Sequence, residues 1–516
     1  MTKHMPGNHS HSIPGQPVGP NTGKSALLPL LVIVVGIGFA SAPLALPAIP
    51  PMTDLCHHVA VAHILNHYRD PQLRYSDYFE LKYSARSTQL FYVLLALLEK
   101  GVGPFGAVKL LLVVYVVALW VSATAYLHAL GRPNARFIAM AALLLAFFWP
   151  VYMGFVPYVL TIPLYACLLA WWLGGRPRMS RSLVAAAVLC TIYGFHIVGA
   201  AVGAFSILLL SLWEWQKEAW KPRRILVDIC AVAPVGILAG SYLLGSGGPR
   251  IVIRYDPLSH IAQSALRYNF ASLWDGALWL TLSGFVFYIW LIAVPIFRGV
   301  ADRRVIALCA SLGFVTMLMP ISLGALWPAG PRVLPYTLIA SLALVSVRKT
   351  GTVVYVSTVT VLVVVLSLMT LRTSSVLGRS YARFLSGLEG VAPGSKLLPV
   401  LAEPEGGARY ISPFWSLASA YVVMRGGATP YMFATPNWPA HASPLQYRRY
   451  AEFRYAYIYQ PDKGAADYVG VSKWYDFVLL WGSIPGIDAV LSKEMTLVVD
   501  NPPLKIYKSR HRERKP

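Results

Sequence analysis

The chain is poor in charge and poorer still in acid. Of its 516 residues 13% are charged, and 22 acidic side chains stand against 44 basic ones. Ordinary soluble domains carry about a quarter of their residues charged, so a water-soluble globule of this length is excluded. Cysteine is scarce as well. There are five, and Cys167, Cys190, Cys230 and Cys309 sit singly inside apolar runs, which excludes a disulfide framework or a cysteine-built zinc site. A Walker loop and a glycine-rich dinucleotide motif are both missing, as is any internal repeat. Residues 1–24 are polar, rich in Gly, Pro and His, and lack the small-residue cleavage site of a secretory signal, so they read as a disordered cytoplasmic tail.

What the chain does have is apolar length. Hydrophobic residues make up 56%, the mean hydropathy is +0.55, and runs near the roughly 20 residues needed to cross a bilayer recur from Ser25 to Leu371. The fold class is therefore a polytopic α-helical membrane protein. Much of the formal net charge of +22 lies in short loops between these runs: Arg132 and Arg136; Arg176, Arg178 and Arg181; Lys217, Lys221, Arg223 and Arg224; Arg298, Arg303 and Arg304; Arg348 and Lys349. Basic short loops mark the cytoplasmic side, so the charge reports topology and no nucleic-acid partner is implied. Placing all of them inside requires helices near 25–49, 107–130, 134–150, 155–173, 182–195, 197–213, 224–244, 276–298, 303–326, 333–347 and 351–371, about eleven spans.

Leu90 to Leu98 is apolar but covers only about 14 Å as a helix, too little to cross. Residues 51–106 then form a first outer loop carrying two surface helices, Leu55 to Tyr68 and Thr88 to Leu98. An odd number of spans puts the amino terminus inside and the carboxyl-terminal region outside. That region, 372–516, has the composition of a small α/β domain after a transmembrane domain over 25–371. Its expected elements are strands at Ser395–Leu401 and Asp476–Trp481, a helix at Phe414–Met424, and a hairpin of Met495–Asp500 with Leu504–Lys508. Gly426 to Gln460, rich in Pro and Tyr, reads as packed loop.

The segment Ala-Ile-Pro-Pro-Met-Thr-Asp, Ala48 to Asp54, brings a carboxylate to the membrane surface where the first span ends. Asp54 is a candidate general base; as the residue before a helix it is equally a candidate N-cap. His57 and His58 follow at the spacing that shares a helix face with Asp54, as substrate contacts, metal ligands or plain polar-face residues. His63 and His67 form a second such pair. Asp77 and Glu80 are solvated loop carboxylates or acceptor contacts. For a phosphate, the outer-side cations are Arg250, Arg254, His260, Arg267 and Arg332; Arg offers a planar fork to phosphate, and at an interface it also snorkels to lipid. His196, between two apolar segments, is either a structural residue at a helix break or a substrate contact. Trp149 to Pro157 is an outer turn whose aromatics suit a sugar, a lipid groove or the interfacial belt.

The plan of a first span, an outer loop opening on Asp54, two surface helices, further spans and an outer carboxyl-terminal domain resembles the GT-C superfamily of integral-membrane glycosyltransferases. The resemblance implies a polyprenyl-phosphate-linked sugar as donor, membrane lipid as surroundings, a glycan, lipid or protein as acceptor, and Asp54 as catalytic base. Many members have paired acidic residues where this chain has Thr53-Asp54-Leu55, which leaves the subfamily open. No cofactor is firmly implied, with a divalent metal at Asp54, His57 and His58 as the alternative. A bacterial inner membrane is the expected location, since the outer loops show no run of N-glycosylation acceptors. A lipid or solute transporter and a non-catalytic subunit of envelope polysaccharide assembly are the competing classes. A transporter built from inverted repeats is expected to show symmetry between its halves, and this sequence has none.

Overall fold

The computed structural model describes residues 23–511 apart from 84–85, 218–219, 246–252, 256, 271–274, 298–300, 324–325, 348–350, 409, 435–442 and 455–463. The expected tail and Arg250 lie outside the described residues. The long helices are apolar on every side, as a helix flanked by both protein and lipid must be. Pro104–Ala129 buries Leu111, Leu112, Tyr115 and Leu119 and exposes Leu110, Val114, Val117 and Val121. Five helices among the described residues are long and apolar enough to cross a membrane: Pro104–Ala129, Val156–Leu173, Ile197–Lys217, Pro222–Ser241 and Thr352–Gly390. Shorter apolar helices include Leu30–Ala45, Ala135–Phe147 and Leu282–Phe297.

Several boundaries differ from those expected, and the causes are local. The segment 134–150 is one α-turn, Ala135–Ile138, followed by a 3-10 helix, Ala139–Phe147. It ends where Phe148 turns extended, and a new turn starts with a proline at its beginning. The helix expected to 326 stops at Leu318, because Met319 precedes Pro320 and takes the extended conformation that a following proline favours. The last apolar helix does not stop at 371. Thr352–Leu385 runs for 34 residues, about 51 Å, well beyond a roughly 30 Å hydrocarbon layer, so one continuous rod joins the apolar region to the carboxyl-terminal sheet.

Beyond that rod the expected elements lie close to their predicted bounds. Leu397–Leu401 pairs parallel with Phe477–Trp481, which pairs antiparallel with Leu504–Ser509, and this with Met495–Asn501. The helix Phe414–Arg425 lies against this sheet, with Phe414 stacked on Trp481 at 4.7 Å. The first outer loop is woven into the same region. Phe79–Leu81 pairs antiparallel with Leu445–Tyr447, and Gly427 donates its N–H to Leu73 O at 2.8 Å. Gly427 has φ +76, and a Cβ there would meet Ser395 O at 1.9 Å, so only glycine allows this approach.

The two loop helices fare differently. Gln89–Val102 keeps an exposed apolar stripe, Leu90, Val93 and Leu97, as a surface-lying helix should. Leu55–His67 does not lie on a surface: residues 55 to 64 are all buried. It packs against the Phe414–Arg425 helix, where Cys56 N–H donates to Ser416 Oγ at 3.2 Å and His57 Nδ1 lies 2.8 Å from Ser419 Oγ.

Part of the basic charge assigned to loops is neutralised inside the protein. Arg181 makes paired bonds to Glu214 at 3.0 and 2.8 Å, Arg178 reaches the same carboxylate at 3.0 Å, and both approach Asp228, which is fully buried and accepts from Trp215 Nε1 at 2.9 Å.

Candidate active site

Asp54 is positioned by backbone, not by its own side chain. After the prolines Pro47, Pro50 and Pro51 the chain runs against the turn at 152–154, where Thr53 N–H donates to Tyr152 O and Asp54 N–H to Met153 O, both at 3.0 Å. Thr53 Oγ1 accepts from Ser412 N–H at 3.1 Å. Gly154 makes the contact possible: its φ is +76, and a Cβ would sit 2.8 Å from Leu55 N and 2.9 Å from Asp54 N. Asp54 precedes the Leu55–His67 helix, yet its side chain makes no capping hydrogen bond. The carboxylate is left for other work. Burial pushes it up to about 7, an effect that the charge of Arg332 opposes.

Arg332 lies in the 3-10 turn Gly330–Val333 and is 6% exposed. Its Nη2 donates to Trp327 O at 2.6 Å, its guanidinium lies 4.0 Å from the centre of the Phe155 ring, and Tyr158 OH donates to its carbonyl at 2.5 Å. Its Nε has no hydrogen-bond partner. Burial lowers Arg332 to about 10, with the charge of Asp54 among the opposing influences, so it stays cationic at neutral pH. His196 stands beside it in extended conformation at the break between Arg178–Phe195 and Ile197–Lys217. Val198 N–H is 3.2 Å from His196 Nδ1 and Arg332 Nη1 is 3.3 Å from its Nε2; a neutral imidazole accepts at only one nitrogen, so the tautomer decides which of the two contacts is the hydrogen bond.

His58 Nδ1 lies 2.9 Å from the Tyr92 hydroxyl, which burial and, secondarily, the charge of Asp54 hold protonated. His57 turns elsewhere: its Nδ1 is 2.8 Å from Ser419 Oγ, its ring meets Phe433 edge-on, and burial drops it to about 3, so it is neutral. Arg254 is exposed on the two-residue strand Ile253–Arg254, paired with Ser322–Leu323 at the start of the segment leading to Arg332. His260 and Arg267 are exposed on the Leu258–Phe270 helix. Asp77 is exposed in an ion pair with Arg74 at 2.8 Å, and Glu80 is exposed on the strand opposite Gln446.

Sequence reasoning singled out the Trp149–Pro157 turn for its aromatics and missed what it does. Its carbonyls hold Asp54, Phe155 underlies Arg332, and Trp149 packs edge-on against Tyr268 and Trp327. Tyr92 and Tyr158 were missed outright, having no signal beyond being aromatic. Near the turn lies a small, open apolar groove of about 50 Å³ lined by Leu145, Phe148, Phe270, Leu338, Ile339 and Leu342. It borders the helix that follows Arg332. Among the described residues, metal-ligand spacing occurs at His63, His67 and Glu99 and not at Asp54, His57 and His58.

No protein-family model matches the chain, and no curated protein matches it by sequence. Solved structures do. The crystal structure of ArnT from Cupriavidus metallidurans in the apo state aligns with a TM-score of 0.54 at 10% identity, covering 96% of this chain and 100% of that one. ArnT from the same organism bound to undecaprenyl phosphate aligns at 0.54 and 11%, covering 94% and 98%. The chain therefore has the fold of ArnT over nearly its whole length.

Proposed function

We propose that the protein is a multi-pass membrane glycosyltransferase that moves a sugar from a polyprenyl-phosphate carrier to a glycan, lipid or protein acceptor on the outer side of the membrane. The observation that carries this reading is one half-buried, uncapped carboxylate, Asp54, within the electrostatic influence of one buried cation, Arg332, with no direct ion pair to either among the described residues. A displacement at an anomeric carbon attached to phosphate needs both groups. Asp54 takes the proton of the attacking acceptor hydroxyl as the new glycosidic bond forms. The bond to the phosphate oxygen breaks with its electron pair, and the charge collects on the leaving phosphate beside Arg332 and His196. A base held near pH 7 suits neutral operation. ArnT bound to undecaprenyl phosphate shares the fold, and the small apolar groove along the helix after Arg332 is open to part of a prenyl chain. A single displacement inverts the anomeric centre; a product with retained configuration refutes it.

The finer topology belongs to the same proposal: eleven spans, a cytoplasmic amino terminus, an outer α/β domain over 372–516, and a bacterial inner membrane. His58 and Tyr92 border the acceptor side, and Arg254 and His260 the donor entrance.

The test is turnover in liposomes, followed by mass spectrometry over a panel of polyprenyl-phosphate sugars with an envelope extract as acceptor, with Asp54→Asn in parallel. Turnover by the wild type that is lost in the variant supports the reading. Equal turnover in both moves the base away from Asp54. No turnover with any donor overturns the enzyme class in favour of transport or assembly.

A further inference from the structure

Nine residues beyond Asp54 on the same helix, about 13 Å along its axis, stands a second set of polar groups that the proposed reaction does not use. His63 and His67 are one turn apart, with ring centres 4.3 Å apart. Glu99, from the adjacent Gln89–Val102 helix, is buried, and its Oε1 accepts a hydrogen bond from His63 Nδ1–H at 2.5 Å. Its other oxygen accepts from Asn66 Nδ2 at 3.1 Å, and Asn66 Nδ2 also donates to Ala96 O at 2.8 Å. The carboxylate is thereby fixed in place, and it fixes the His63 tautomer. With Nδ1 engaged by the carboxylate, Nε2 is the ring nitrogen left for a ligand.

Nε2 is buried and has no hydrogen-bond partner. A buried polar atom without a partner calls for one, and this one lies beside a second imidazole. Ligand atoms of His63, His67 and Glu99 fall within 4.8 Å of one another. A carboxylate that grips one ring nitrogen so that the other points at a cation is a recurrent support of metal-binding histidines. Tyr75 closes the inner side edge-on to His63, while His67 is exposed, leaving water access to the remaining coordination positions.

We propose that His63 and His67 bind a divalent transition metal of the zinc class, with Glu99 as the carboxylate that orients and charges His63. Two imidazoles select zinc, cobalt, nickel or copper over magnesium and calcium, which prefer oxygen. The site joins the two helices of the first outer loop. The bound ion pins the far end of the helix whose near end presents Asp54, so its role is positional. The proposal stands whether or not the protein transfers sugar.

The test uses the full-length chain with His4, His9 and His11 replaced by alanine, which removes the histidines of the amino-terminal tail as competing ligands. After chelator treatment in detergent, Zn²⁺ is titrated against a chromophoric competitor and Co²⁺ is followed by its visible absorption. The expected result is one equivalent of Zn²⁺ that raises the melting temperature, with binding lost in His67→Ala and weakened about 10–100-fold in Glu99→Gln. His67 is exposed at the helix end, so its replacement leaves the core intact. No binding by the parent chain, or equal binding by His67→Ala, overturns the proposal and leaves Glu99 and His63 as a hydrogen-bonded pair only.

Discussion

Asp54→Asn preserves the shape of the side chain and removes its charge, so it separates what the carboxylate does for the reaction from what it costs the fold. The folded protein holds the Asp54 proton more tightly than the unfolded chain, with the pKa raised from 3.8 to about 7 by burial. Its stabilising contribution is therefore complete below 3.8 and fades as pH rises through about 7. Three pKa units correspond to about 4 kcal/mol, of which about 3 kcal/mol is lost between pH 5 and pH 8 by linkage. The half-buried side of the residue admits water and trims this to about 2–3 kcal/mol. Asparagine cannot ionise, so the variant lacks this dependence. Melting curves of both proteins in the same detergent, from pH 5 to pH 8, should show the variant gaining on the wild type by about 2–3 °C across that range, while its turnover falls about 10²–10⁴-fold. Wild-type kcat should itself rise with pH through about 7. A stability gap that does not change with pH would refute the burial argument, whatever the kinetics show.

Gly154→Ala should cost about 1–3 kcal/mol in stability through its positive φ, yet lower kcat/KM by about 10²-fold by displacing the Asp54 backbone; melting and steady-state kinetics on one preparation separate the two effects. Arg332→Lys keeps the charge and loses the planar fork over Phe155 and toward Trp327 O, and should reduce kcat/KM about 10–100-fold with little change in melting temperature. Arg181→Met should destabilise by about 3 kcal/mol, the low end for breaking a buried pair because Arg178 still faces Asp228. Adding Asp228→Asn should recover part of that loss in a denaturation series.

Periodicity and apolar length, which are local properties, marked the membrane class, the short Gln89–Val102 helix and the strands and hairpin of the carboxyl-terminal region. Asp54, His196 and Arg332 stood out one at a time, each as an ionisable group beside apolar sequence. Their grouping was not legible, because it depends on a turn about a hundred residues beyond Asp54 whose carbonyls hold it and whose Phe155 underlies Arg332. The same holds for His57, whose partner Ser419 is 362 residues away, and for Leu55–His67, read as a surface helix and found enclosed. By itself the sequence determined the helical, apolar class and the strands of the carboxyl-terminal region, since those depend on neighbouring residues. Only the tertiary structure decided which buried charges meet and which helix faces are covered, since burial, close backbone approach and shifted ionisation arise from groups distant along the chain.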